Sequence, residues 1–346
     1  MNSHKQQGVA IITVLLMVAL ATITVVAMTS QQRLDIRRAA NQQALQQARS
    51  LALGGEKFAA ATLMRDKTDE LTADTDTLGE EWAQSLPPLP VDQSTIKGCV
   101  FDMQGRFNLN NLLTGNGSID SQYYSQLQRL LSALAIDSAK ADAIADWLDE
   151  DSETTGSDGA EEDYYSGLDV PYRPANREMV SISELKLVKG FNPADEDEMA
   201  DLQVLLPHVA ALPGVTLVNV NTATPAVIAS LSDEIGEKAD DLTRWDDDGW
   251  ESYPECEDVL DVAELVETVA AQAEGGERES YDSVDDFISA AGVADDDLSD
   301  RLSVSSEFFR IRVDVATGET GVTQFTLVRR LDQGASEVLQ RSRQVF

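Results

Sequence analysis

The sequence predicts a mixed α+β fold: one long N-terminal helix packed on a small antiparallel sheet, with a large all-α domain inserted between the strands. Three observations predict it. An uncharged run from Val9 to Met28 passes, without a proline, into a helix-favouring stretch that ends near Met64. Strand patterns stand at both ends of the remaining chain, within residues 96–112 and 305–346. Between them, residues 112–302 carry helical spacing and helix-capping residues.

The 346 residues suffice for two domains, and a 42% hydrophobic composition suffices for a buried core. The formal net charge is −35, unevenly spread. The first 65 residues hold seven Lys or Arg against two acids, so the remainder is intensely acidic. Such a surface repels phosphate backbones and argues against nucleic acid as a partner.

The polar leader, residues 1–8, ends at Gly8, and the next 20 residues are uncharged. At about 1.5 Å per residue, a helix over 9–28 spans the roughly 30 Å core of a bilayer. Thr13, Thr22, Thr24 and Thr29 do not interrupt it, because their hydroxyls can bond back to helix carbonyls. A cleaved secretory signal places its small residue after the apolar run; here Gly8 comes before it. Lys5 precedes the span, whereas Arg33, Arg37 and Arg38 follow it. Charge alone would put the C-terminal side in the cytoplasm, but long domains cross membranes largely regardless of charge. Residues 31–64 are rich in Gln, Arg, Ala and Leu, with Leu34, Ala40, Leu45, Ala48, Ala52 and Phe58 as an apolar stripe and Gly54-Gly55 as the weak point.

A polar connection, residues 65–94, precedes "IKGCVFDMQGRFNLNNL", which reads as a strand, a turn at Gln104-Gly105 and a second short strand. At the far end, Phe309, Ile311, Val313 and Val315 alternate with Arg310, Arg312 and Asp314. Phe325, Leu327 and Arg329 alternate again, with turn signals at Thr317-Gly318 and Gln333-Gly334. Helices are expected over 119–136, 138–149, 181–189, 197–206, 223–231, 256–273 and 283–291. Ser181 and Glu184 fit a capping box. The expected organisation is a leader (1–8), a membrane span (9–28), the helix continuation with the first strands (29–111), the inserted helical domain (112–302) and the remaining strands (303–346).

The densest chemistry is "DWLDEDSETTGSDGAEEDYY", residues 146–165. Nine carboxylates fall between Asp146 and Asp163, with no Lys or Arg among them. Folding that many like charges together requires a counter-charge. Calcium, with about six to eight oxygen ligands, supplies one. Gly156 and Gly159 allow the backbone to bend and turn carbonyls inward. Local sequence equally allows a solvated acidic loop. The segment is not an EF-hand: counting from Asp149, Thr154 holds the sixth place and Ala160 the twelfth. Without His or Cys it does not suit transition metals.

A second acidic stretch, residues 245–258, reads as a solvated loop or a second cation site. No catalytic chemistry is expected: His208 is the only histidine outside the leader, and no Ser or Cys sits in a nucleophile elbow. "VNVNTATPAVIASL", residues 218–231, looks like half of a helix-hairpin-helix. Its continuation, "SDEIGEKADDL", is acidic and lacks Gly-x-Gly, so a packing unit is expected in preference to a DNA grip. Cys99 and Cys256 fit one disulfide in an exported domain, or two unrelated thiols.

Taken together, "KQQGVAIITVLLMVAL", "LDIRRAANQQALQQARSLALGGE", "ADWLDEDSETTGSDGAEEDYY", "PYRPANREMVSISELKLVKG" and "VNVNTATPAVIASL" resemble the type II secretion minor pseudopilins of the K type, over nearly the whole chain. The resemblance implies a pilin-like body with a large inserted helical domain. It implies cleavage between Gly8 and Val9 by a prepilin peptidase, followed by methylation of the new N-terminus. It implies a single inner-membrane span with the C-terminal domain in the periplasm, and a place at the tip of a short pseudopilus. The implied partners are the I and J type minor pseudopilins, the major pseudopilin and the inner-membrane secretion platform. Calcium is the implied ligand, with Asp149, Asp151, Glu161, Glu162 and Asp163 as its expected residues. Pilin-like proteins mostly carry Glu at the fifth residue after the cut, where it is proposed to pair with a neighbour's N-terminal amine; here that place holds Thr13. The rival functions are a membrane-anchored DNA-uptake protein built on the helix-hairpin-helix, and a calcium-dependent hydrolase.

Overall fold

The structure is a computed structural model that describes residues 7–345 except 71, 85, 244–279, 294–295, 319 and 332–334. The first helix, α1 (Gln7–Thr68), runs unbroken through 62 residues. The main sheet has five antiparallel strands: β1 (Leu86–Val91), β2 (Ser94–Asp102), β7 (Phe308–Thr317), β8 (Thr320–Arg330) and β9 (Ser336–Val345), in that spatial order. Strand β2 pairs with β7 from Ser94↔Thr317 to Asp102↔Phe309. The two halves of the sheet therefore meet across the insertion, as the strand patterns predict.

The C-terminal half of α1 lies on one face of this sheet. Ala48, Ala52 and Leu63 pack against Phe309, Ile311, Val313, Val315, Val322, Val328 and Trp82. The predicted alternation along β7 holds, and its apolar set meets the helix. The opposite face is not simply solvated. Asp314 is fully buried, and Arg312 donates to it at 2.9 Å. The guanidinium of Arg310 stacks 5.1 Å from the Phe101 ring centre, and that of Arg312 lies 5.6 Å from Phe325.

Two members of the predicted stripe fall outside this core. Leu34 is 54% exposed and Phe58 55% exposed. Leu34 precedes the part of α1 that meets the sheet, and Phe58 turns away from the contact line set by Ala48, Ala52 and Leu63. The buried line includes a charged residue instead, Glu56.

The connection at 65–94 contains a strand, β1. Its Leu-Pro-Pro-Leu-Pro-Val sequence hides the strand pattern, yet prolines fit here because β1 is an edge strand. The short strand after Gln104-Gly105, β3 (Phe107–Asn108), does not fold back on β2. It pairs in parallel with β4 (Val209–Ala210). Phe107, Leu109 and Leu112 belong to the core of the helical domain. Phe107 and Leu109, on the sheet side of the expected boundary at 111/112, are thus buried against helices and not against α1.

The inserted domain contains α2 (Ser121–Ala133), α3 (Lys140–Leu148), α4 (Glu162–Ser166), α5 (Glu196–Leu205), α6 (Pro225–Leu231) and a helix at Val284–Ala291. The segment predicted at 181–189 is a 3₁₀ turn over Ile182–Leu187, entered through the Ser181–Glu184 capping box. The expected helix 256–273, the acidic stretch 245–258, the turn at Gln333-Gly334 and Cys256 lie outside the described residues. Cys99 is buried on β2 and is not a free thiol.

A buried polar knot joins the domain to the sheet. Asp102, at the end of β2, accepts from Thr222 Oγ1 at 2.5 Å, Ser306 Oγ at 2.7 Å and Asn219 Nδ2 at 3.0 Å. Asn219 lies on β5 (Val218–Asn219), which pairs with β6 (Leu302–Ser303), so both ends of the insertion are held at one place.

Candidate functional site

The acidic loop grows out of α3. From Ala141 to Leu148 every residue of this helix is buried, including two aspartates one turn apart. Asp142 Oδ2 accepts from the backbone N–H groups of Ser157 (3.0 Å) and Asp158 (3.1 Å), while Oδ1 accepts from the Tyr124 hydroxyl. Asp146 Oδ1 accepts from Thr155 N at 2.8 Å. The loop is thereby folded back over the helix. This requires Gly156, whose φ is +59° and whose added Cβ would lie 2.0 Å from Asp142 Oδ2. From the other side, Lys189 Nζ donates to the carbonyls of Asp158 at 3.0 Å and Gly159 at 3.4 Å. Beneath lies an aromatic floor: Trp147 and Tyr165 pack edge to face with ring centres 5.3 Å apart.

This fold-back brings Asp149, Asp151 and Glu161 together. Each offers an oxygen within 4.8 Å of the other two. Asp149 and Glu161 are buried, and Asp151 faces solvent. The buried carboxylates lack donors: Asp149 Oδ1, both oxygens of Glu161 and the neighbouring Asp146 Oδ2 have no hydrogen-bond partner. Burial, then Asp151 and Asp146, pushes the Asp149 carboxyl up to about 7. Burial, then Asp146, Asp149 and Asp151, pushes Glu161 up to about 7. Burial also raises Asp146. Buried acids without donors or counter-charge are costly, and a hard cation answers both deficits.

Three of the five expected ligands are thus assembled. Glu162 and Asp163 are not: Glu162 ion-pairs with Arg173 at 3.1 Å, and Asp163 is exposed on α4. The residues missed are Asp142 and Asp146, which shape the loop. Their spacing with Asp149 places three acids on one helical face, a signal present in the sequence.

The other functional element is α1. It is long and apolar enough to cross a membrane, and none of its most apolar window is buried. Thr22, Thr24 and Thr29 donate to the carbonyls of Val18, Leu20 and Val25, each at 2.8 Å, so their hydroxyls are satisfied within the helix. Gly8 and Val9 lie in its first turns.

A family model described as type II secretion system (T2SS), protein K, matches residues 105–214. The type II secretion system protein K of Pseudomonas aeruginosa is 34% identical over 349 residues, covering 97% of this chain and 92% of the relative. The chain belongs to the type II secretion system protein K family. The protein K of Aeromonas hydrophila is 33% identical over 261 residues, covering 70% of this chain and 76% of the relative. Among solved structures, a chain in the crystal structure of the GspK-GspI-GspJ complex from the enterotoxigenic Escherichia coli type 2 secretion system shares the fold. It has a TM-score of 0.67 and 24% identity, and the match covers 89% of this chain and 99% of that one.

Membership in the protein K family makes this chain a minor pseudopilin, a component of an envelope machine. Its helix-hairpin-helix look-alike is packed into the inserted domain. Asn219 and Asn221 are buried, Asn221 bonds Tyr281 through both its amide nitrogen and its oxygen, and Thr224 caps α6.

Proposed function

We propose that this minor pseudopilin sits at the tip of the periplasmic pseudopilus, supports its assembly and so promotes protein export across the outer membrane. In this reading a prepilin peptidase cuts between Gly8 and Val9, the new N-terminus is methylated, and the helix stays in the inner membrane with the C-terminal domain in the periplasm. The observation that carries it is α1 itself. Every residue from 11 to 43 is exposed, and the helix beyond them is built into a folded domain. An apolar helix face that suits a bilayer also suits a bundle of like helices, so a subunit passes from membrane to fibre with little change in apolar exposure. The inserted domain supports the tip position, since its bulk would obstruct copies stacked above it.

I and J type minor pseudopilins are the proposed partners, supported by the complex in which the structural relative was crystallised. The major pseudopilin and the inner-membrane platform complete the set. The soluble part (about residues 31–346) should co-purify with the soluble parts of those two partners. Reconstituted pseudopili that carry this chain along the shaft overturn the tip position.

Calcium is the proposed ligand of Asp149, Asp151 and Glu161. The orphaned oxygens of Asp149 and Glu161 fit it, and their all-carboxylate chemistry matches a hard cation. When bound, calcium supplies charge neutralisation and cross-linking of the loop ends. Melting of the soluble part with millimolar Ca²⁺ and with a chelator checks this. A ligand at 100 times its Kd adds about 2.7 kcal/mol to native stability, and an unchanged melting temperature removes the site.

A further inference from the structure

We infer that a second site for a hard divalent cation lies on the pilin-like body, built from Asp66 at the end of α1 and from Asp76 and Glu80 in the segment that follows. Each of the three offers an oxygen within 4.8 Å of the other two. The Asp66 side chain is 8% exposed and that of Asp76 is fully buried. Arg330, on β8, is the one described cation paired with them. Its Nη1 donates to Asp66 Oδ2 at 2.8 Å, and its Nη2 donates to Asp76 Oδ2. Three carboxyl groups thus share one guanidinium in a place largely closed to water.

An independent observation points to a missing ligand. Asp76 Oδ2 accepts from Arg330 and from Ser306 N at 2.7 Å, but Asp76 Oδ1 is buried and has no donor. Nearly all buried polar groups find a partner, and an ionised oxygen is the costliest to leave without one. The oxygens of Glu80 take one hydrogen bond each, from Thr77 N at 2.9 Å and Trp82 Nε1 at 2.6 Å. Each keeps acceptor capacity for a metal. Arg330 is held from behind, 4.8 Å over the Phe309 ring and donating to Ser306 O at 2.9 Å. It therefore stands as a fixed outer partner of two carboxylates and leaves their other oxygens open.

The three ligands are all carboxylates, which selects calcium or magnesium over softer metals. A cation here would tie the end of α1 to the segment that carries Trp82, against the sheet. This site does not depend on the acidic loop, and the two can fail separately.

Terbium luminescence tests it, since Trp82 hydrogen-bonds a ligand and can sensitise the ion. The full chain in detergent is first silenced at the loop by Asp149→Asn and Glu161→Gln. The expected result is saturable, Ca²⁺-competed Tb³⁺ emission on tryptophan excitation. Adding Glu80→Gln should weaken Tb³⁺ binding at least tenfold, with an unchanged far-UV dichroism spectrum. Adding Trp82→Phe instead should remove most of the emission, while equilibrium dialysis still finds one bound ion. Absence of saturable binding in the loop-silenced chain overturns the site, as does emission indifferent to both Glu80→Gln and Trp82→Phe. If the loop is not a metal site, Asp149→Asn and Glu161→Gln leave Tb³⁺ binding to the parent chain unchanged. That outcome strikes the loop alone.

Discussion

Arg341 on the last strand forks onto Glu56 in the C-terminal part of α1: Nε donates to Oε2 and Nη2 to Oε1, each at 2.7 Å, across 285 residues of sequence. Glu56 is buried, and Gln324 and Thr326 each donate to its Oε2 at 2.7 Å. Burial alone would raise this carboxyl. The hydrogen bonds from Arg341 and Thr326, with the charges of Arg341 and Arg343, outweigh it and hold Glu56 below the usual range. The pair thus closes the C-terminal edge of the sheet over the helix. Arg341→Ala strands a buried carboxylate and should cost about 2–3 kcal/mol. The check is the urea midpoint of the soluble part. The double variant Glu56→Gln, Arg341→Met should recover a good share of the loss, because the uncompensated charge is gone.

His208 sets a pH dependence of opposite character to the acidic clusters. Its Nδ1 lies 2.7 Å from Thr224 Oγ1, the cap of α6. Burial, helped by the charge of Arg106, pushes its pKa down to about 4. The unfolded chain takes a proton near 6.5 while the folded chain stays neutral, so this histidine's contribution is complete above pH 6.5 and drains away as pH falls towards 4. Between pH 7.5 and 5, wild type should lose about 1–2 kcal/mol more than His208→Gln, after allowance for partial solvent screening. Paired urea titrations at the two pH values read the difference. Equal losses in the two proteins exclude the role.

Much of this was legible in the sequence because it depended on periodicity. The run from Val9 to Met28 is legible by its uncharged length, and its residues from 11 on are exposed; the alternation of β7 is legible by spacing, and its apolar set meets the helix. The acidic loop was legible as a concentration of charge, and Asp149, Asp151 and Glu161 do converge. What stayed hidden depended on partners distant in sequence. Glu56 reads as an ordinary helix-surface acid until Arg341 is brought to it. β1 reads as a proline-rich connection until its edge position is known. β3 looks like the second arm of a hairpin, and only the parallel partner β4 shows that Phe107 belongs to the other core. The resemblance implies Glu162 and Asp163 as ligands too, but a motif match cannot say which way a short helix such as α4 turns its acids, and here Glu162 pairs with Arg173 while Asp163 is exposed.

The loop's shape should matter as much as its charge. Gly156→Ala forces a Cβ to within 2.0 Å of Asp142 Oδ2 at a φ of +59°. Strained positions of this kind cost about 1–3 kcal/mol. Calcium titration should show weakened binding although no ligand residue is altered, with a lower melting temperature even in chelator. Unaltered affinity would mean that the fold-back does not assemble the ligands.

Cys99 is buried and not free, and the chain contains two cysteines. A bond to Cys256 is the expected outcome. Non-reducing peptide mapping of the protein purified without reductant should recover one Cys99–Cys256 cross-linked peptide. Its reduction should lower stability by about 2–5 kcal/mol. Two alkylatable thiols in the untreated protein refute the bond.

Thr13 bears on the tip position directly. A carboxylate among apolar helices is expensive unless an opposite charge meets it. A shaft subunit with Glu at this place has a neighbour ahead of it whose N-terminal amine can be met. A subunit at the proposed tip has none, so on that proposal an uncharged Thr13 avoids burying a charge that nothing neutralises. Thr13→Glu should therefore lower incorporation into pseudopili and lower secretion, since an unpaired buried carboxylate costs several kcal/mol. Thr13→Val, which keeps the site neutral, should leave both near wild type. Secretion assays in cells lacking the native chain compare the two variants. A clear gain in secretion from Thr13→Glu contradicts both the cost and the position from which it was argued.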